Sequence, residues 1–321
     1  MSSRQGARAE SERAGPPDND VTRAAQILRD GGLVAMPTET VYGLAADARD
    51  EAAVRRVFEV KRRPTDHPLI VHVADSSQLD AWAIGISDAA YQLSEAFWPG
   101  PLTLLLSRHA DVLDIVTAGR PTVGLRVPAH PVTTALLRAF GGGLAAPSAN
   151  RFGRVSPTTA QHVRADLGDD VDAILDGGPC AVGLESTIVD CTLERPMILR
   201  PGAITAEQIE AVLGRPIDRL PSGPARAPGM LEAHYAPRAR IELVANDAAA
   251  ELAVAGHRSE GRAARRFVAP SDPGSVARHL YSAFREADRD GLDALVFVLA
   301  AESGIGVAIN DRLRRAARSA R

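Results

Sequence analysis

LVAMPTETVYGLAADA, residues 33–48, passes across a single proline, Pro37, from four apolar residues into Thr38, Glu39 and Thr40. A buried strand that ends in hydroxyls and a carboxylate fits an open α/β sheet, where ligands bind beyond the carboxyl ends of the strands. A turn with capping hydroxyls would use the same residue types, so the flanking sequence has to decide. Upstream, Asp20 is placed to cap a helix with Ala24, Ile27 and Leu28 on one face, and Gly31-Gly32 stops it. Downstream, Asp50 and Glu51 open a second helix striped by Val54, Val57 and Phe58, bounded by Pro64, and the strand LIVHV follows.

The alternation continues. Helices are expected near 76–83, 87–97, 131–140, 158–167 and 205–213, and strands at LTLLL, TVGLRVP, LAA, AILD, STIVDC and MILR. Residues 1–18 are polar, small and aperiodic, and read as a disordered tail. Residues 19–215 form the expected α/β domain, and 216–240, rich in Pro, Gly and Arg, form a connector too long for simple tethering. Residues 241–321, with strands IELV, RRFVA and ALVFVLA and helices near 272–288 and 305–319, predict a smaller three-layer α/β domain.

Composition removes several function classes. The net charge of −3 and 4% aromatic content offer neither global attraction to polyanions nor many rings for base stacking. Cys180 and Cys191 lack metal or disulfide spacing. The longest apolar run, Ala294 to Ala301, is far below a membrane span and the N-terminus has no apolar leader, so a cytoplasmic protein without a membrane partner is expected. Lys61 is the only lysine among 37 basic residues, and Arg62 follows it, which rules out a P-loop.

Cations and hydroxyls gather instead where strands begin and end. KRRPTDHPLIVH (61–72) concentrates Lys61, Arg63 and His67 between a helix end and a strand, although cations there also complement the helix dipole. Alternation in LIVHV turns His72 away from Val71 and Val73, as a core histidine or a ligand. Thr122, Gly124 and Arg126 share one face of TVGLRVP, where an arginine fork beside glycine suits a carboxylate or phosphate. Ser148 and Ser156 follow the strand LAA, Glu185, Ser186 and Thr187 stand at a strand entrance, and Arg200 stands at a strand exit. Several cations with no nucleophile–base dyad suit binding of an anionic nucleotide, with catalysis by position and charge neutralisation.

The ordered segments PTETVYGLAADA, KRRPTDHPLIVHV, FWPGPLTLLL, VGLRVPAHP, APSANRFGRVSPT, GLESTIVD and ILRPG resemble the YrdC-like family. APGMLEAHYAPRA with a second α/β unit, and more loosely GIGVAINDRLRRAA, is similar to the family's long two-domain form, the threonylcarbamoyl-AMP synthases. The resemblance implies a twisted mixed sheet around a basic cavity, with a Rossmann-like C-terminal domain. It also implies ATP-dependent joining of L-threonine and bicarbonate into threonylcarbamoyladenylate, with magnesium accompanying ATP and pyrophosphate released. The product would pass to a partner complex that modifies adenosine 37 of tRNA.

By the same resemblance Thr40, His72, Arg126 and Ser186 hold L-threonine, while Arg63, His67, Thr122, Ser148, Ser156 and Arg200 line the ATP side. Tyr235 closes over the nucleotide, and to these we add Lys61, which begins the basic motif and, with Arg63, is expected to act catalytically on phosphate charge. His67 and Ala146 depart from the family, which commonly carries lysine or a small polar residue at the first position and threonine at the second. A non-catalytic RNA-binding module is the competing reading, disfavoured by charge and aromatic content.

Overall fold

The computed structural model describes residues 18–219 and 236–319, so the tail before residue 18 and most of the connector lie outside the described residues. The strands are β1 Val34–Met36, β2 Gly43–Asp47, β3 Ile70–His72, β4 Leu102–Ser107, β5 Thr122–Arg126, β6 Leu144–Ala145, β7 Ala173–Ile174, β8 Thr187–Asp190, β9 Met197–Arg200, β10 Asp218–Arg219, β11 Arg240–Val244, β12 Ala264–Arg266 and β13 Ala294–Val298. The helices are α1 Asp18–Arg29, α2 Glu51–Lys61, α3 Asp88–Phe97, α4 Asp114–Thr117, α5 Pro131–Phe140, α6 Ala160–Leu167, α7 Ala206–Leu213, α8 Asp247–Ser259, α9 Pro273–Arg289 and α10 Gly306–Ser319.

Ten strands form one mixed sheet in the order β10-β9-β8-β4-β5-β3-β6-β2-β1-β7, and a second sheet, β11-β13-β12, is parallel throughout. Burial on both faces of the large sheet follows from strand periodicity. Leu33 and Ala35 join one apolar cluster while Val34 and Met36 join another. On β3, Val71 and Val73 enter the first cluster, which turns His72 to the other face.

Local chemistry sets the boundaries. The Asp50 carboxylate caps α2 by accepting from the Ala52 and Ala53 amides, which contributes about 1 kcal/mol. Arg62 ends that helix in the left-handed region at φ 53°, ahead of Pro64. Several elements differ from the sequence expectation: α1 begins at Asp18, so Asp20 lies inside it rather than capping it, Ser76–Ala81 is a 3-10 helix, and α4 and β10 are additional. GLAAD pairs antiparallel with β1 as β2, and the Ala-rich segment after β11 forms α8, capped by Asn246. No helix among the described residues is long and apolar enough to cross a membrane.

The two sheets share a core. Val41, Val155 and Leu184 from the large unit pack with Ile241, Leu280, Tyr281 and Phe284 from the small one. Gly183, at φ +80°, allows the approach: a Cβ there would lie 2.6 Å from the Arg278 backbone on α9.

Candidate active site

β3 and β5 run parallel with His72 opposite Arg126, so one register places a ring and a guanidinium side by side at the carboxyl ends of adjacent strands. Both are 4% exposed. Around them opens a small, partly enclosed cavity that carries Arg63, Arg126 and Arg200 on its lining. Thr40 enters it from the turn after β1, and Arg63 from the loop after α2. Ser148 follows β6, Ser186 precedes β8, and Arg200 ends β9. Seven of the expected residues, scattered from position 40 to 200, therefore meet at one wall.

Each is held in a definite way. Thr38 and Thr40 share a hydroxyl–hydroxyl hydrogen bond of 2.8 Å, and Thr38 donates to the Val41 carbonyl at 2.6 Å, which fixes the turn. Arg126 donates from Nε to the Gly100 carbonyl at 3.3 Å, and its Nη2 stands 2.8 Å from Glu39 Oε1 without hydrogen-bond alignment. His72 Nδ1 is buried with no hydrogen-bond partner among the described residues. Burial, reinforced by the Arg126 charge, pulls the His72 imidazole down to about 3, so it stays neutral at physiological pH. Arg200 Nε donates to the Ser186 carbonyl and its Nη2 to Ser186 Oγ, both at 3.0 Å. Gly202 makes this fit possible, because a Cβ there would lie 2.4 Å from the Thr187 amide nitrogen.

Four expected residues stand elsewhere, and a fifth lies outside the described residues. Lys61 is not on the cavity wall: it is 1% exposed, and its Nζ donates to the carbonyls of Ser148 and Asn150. Its ammonium tethers the Ser148 loop from behind, and burial lowers its pKa well below the usual lysine value. Ser156 is likewise behind the wall, fully buried and donating to Glu185 Oε1 at 2.7 Å. Thr122 begins β5, four residues before Arg126, and at about 3.3 Å per residue that places it roughly 13 Å from the site end. His67 packs against Phe152 with ring centroids 5.4 Å apart, beside the cavity, and burial together with Arg63 lowers its pKa, against a protonated phosphate grip. Tyr235 lies outside the described residues.

Glu39 and Glu185, prominent in the motifs but not assigned to the site, prove to belong to it. Glu39 is the partner of Arg126 and also accepts from the Ala129 amide at 3.1 Å. Glu185 lines the cavity. Three guanidinium groups against two carboxylates leave the wall net positive, suited to anionic ligands.

A family model described as telomere recombination matches residues 26–202, and one described as threonylcarbamoyl-AMP synthase, C-terminal domain, matches residues 204–318. The chain is 40% identical over 319 residues to the threonylcarbamoyl-AMP synthase of Pyrococcus abyssi, covering 91% of this chain and 92% of that one. It is also 40% identical over 323 residues to the Bacillus subtilis threonylcarbamoyl-AMP synthase, covering 94% and 93%. The fold superposes with a TM-score of 0.90 and 39% identity on a crystal structure of Pyrococcus abyssi Sua5 complexed with L-threonine, covering 94% of this chain and 95% of that one.

Proposed function

The chain belongs to the threonylcarbamoyl-AMP synthase family, and from that premise we propose that it joins L-threonine, bicarbonate and ATP into L-threonylcarbamoyladenylate, releasing pyrophosphate. The observation that carries this reading is Arg126, a buried guanidinium facing the cavity with an ion pair that leaves its fork incompletely used. A substrate carboxylate completes it through a bidentate, charge-assisted contact. The similar protein complexed with L-threonine supports threonine as that ligand.

Neutral His72 offers Nδ1 to the polar groups of the amino acid, and the hydroxyls of Thr40 and Ser186 complete its cradle. The threonine ammonium first gives up a proton to solvent, and the free amine adds to bicarbonate with loss of water, so that the resulting carbamate is already an anion. Its oxygen then attacks the α-phosphorus in line and pyrophosphate departs, so this second step requires no general base. Arg63 and Arg200 neutralise the phosphates, and Ser148, tethered by Lys61, lines the nucleotide side. Catalysis is by orientation and charge stabilisation.

Among the described residues no group of three His, Cys, Asp or Glu could hold a metal ion, and both oxygens of Glu185 already accept hydrogen bonds. We therefore assign magnesium to the substrate, entering on the triphosphate. The product is passed in the cytoplasm to a complex that modifies adenosine 37 of tRNA.

Pyrophosphate release with ATP, magnesium and bicarbonate tests the reading. Release that requires L-threonine and collapses in Arg63→Ala is the expected result. Release indifferent to threonine, or none from folded protein, overturns it.

A further inference from the structure

α9 meets the large unit with one face. Arg278, Tyr281 and Arg285 stand three and then four positions apart, which aligns them along the helix. Arg278 Nε donates to the Ala181 carbonyl at 3.0 Å, Tyr281 Oη to Glu185 Oε2 at 2.8 Å, and Arg285 Nη2 to Asp166 Oδ2 at 2.6 Å. From α10, Arg312 Nε donates to the same Glu185 oxygen at 2.8 Å and its Nη2 to the Pro201 carbonyl at 3.1 Å. Tyr281 and Arg312 are both fully buried.

Glu185 is therefore fixed at both oxygens, Oε1 by Ser156 within its own unit and Oε2 by two donors from the other. The next residue is Ser186, whose hydroxyl bonds Thr103 Oγ1 at 2.7 Å and accepts from Arg200 Nη2. A continuous set of contacts thus runs from α9 and α10 to two groups on the cavity wall. Sub-ångström displacement of such a wall costs binding and rate, because the groups act by preorganisation.

We propose that Tyr281 and Arg312 are positioning residues of the cavity, acting through Glu185 to set the placement of Ser186 and Arg200. The kinetic form of this proposal rests on the threonine reading above. It gives the small sheet a part in the reaction: the Ser186 wall has its working geometry only while that sheet is docked.

Tyr281→Phe is the discriminating variant, because it deletes one hydroxyl and keeps the ring packed against Phe284, 6.1 Å away between centroids. The expected result is a KM for L-threonine raised about tenfold, alongside the modest fall in melting temperature that the loss of one hydrogen bond to a buried carboxylate brings. In a Ser186→Ala background the same substitution has a clearly smaller effect on KM, since part of its action runs through the lost hydroxyl. Equal multiplication of KM in both backgrounds, or a lowered melting temperature with KM intact, overturns the proposal. Hydrogen exchange of residues 183–190 reads the same positioning without substrate. Faster exchange in Tyr281→Phe is expected, and unchanged exchange overturns the proposal. Should the wild-type protein show no threonine dependence at all, the functional reading falls and the exchange result alone decides this one.

Discussion

Arg126–Glu39 and Arg312–Glu185 are both buried pairs with nitrogen and oxygen 2.8 Å apart, yet they are built to different ends. Glu185 accepts from three side chains, and Arg312 spreads its donors over Glu185, Asp311 and the Pro201 carbonyl. Arg126 meets Glu39 without hydrogen-bond alignment, in a cavity, beside a histidine whose Nδ1 has no partner among the described residues. Burying charge is costly, and the cost is offset only when every donor and acceptor is used. A saturated pair holds structure, whereas an unsaturated one has affinity left for a ligand.

The largest effect that bears on this contrast is on stability. Arg312→Ala leaves the Glu185 charge buried beside fewer partners and should cost about 3–5 kcal/mol in urea unfolding. A loss below about 1 kcal/mol would mean that the saturated pair is not structural. Arg126→Gln should instead act on binding: the dissociation constant for L-threonine, by titration calorimetry, should weaken about 100-fold, with a smaller loss of unliganded stability than Arg312→Ala. If the order of the two stability losses is reversed, the contrast collapses.

Acid sharpens it further. The Arg312 and Arg200 charges overcome burial and hold the Glu185 carboxyl down to about 2, against an ordinary value of 4.5. Its folded pKa is below the unfolded one, so its stabilisation is present above pH 4.5 and fades as pH falls towards 2. His72, pulled from 6.5 to about 3, also has a depressed pKa, but here the unfolded chain gains a proton that the folded one refuses. Its neutral burial therefore costs stability increasingly as pH drops below 6.5. Melting curves of His72→Asn and wild type should diverge in the variant's favour between pH 7.5 and 5, and a pH-independent difference would show His72 to be protonated or exposed. The smallest effect belongs to an exposed pair. Arg265→Ala breaks its 3.1 Å contact with Asp290 and should change stability by less than about 0.5 kcal/mol in the same assay.

What the chain discloses of itself depends on how local the cause is. Alternation alone placed His72 and Arg126 on the faces they occupy, because period two is fixed by the strand backbone. The α9 and α10 helices were legible from their apolar periodicity, but α8 was not, since its alanines and Gly256 mark no clear stripe. Lys61 was conspicuous by rarity, which says that an ammonium is needed without saying whether it faces ligand or carbonyl oxygens. Tyr281 and Arg312 were invisible as site residues: they reach Glu185 across 96 and 127 positions, and no pattern in the chain encodes such a distance.

Lys61 has one more consequence, for the protein as a reagent. The only lysine in the chain is sealed under the Ser148 loop, and acylating reagents need an accessible, unprotonated amine. Modification of its side chain can proceed only through states in which that loop has opened. The rate of acylation at Lys61 is therefore a built-in clock for opening of the Ser148 loop, readable by mass spectrometry without any engineered label, and a ligand that holds that loop shut should slow it.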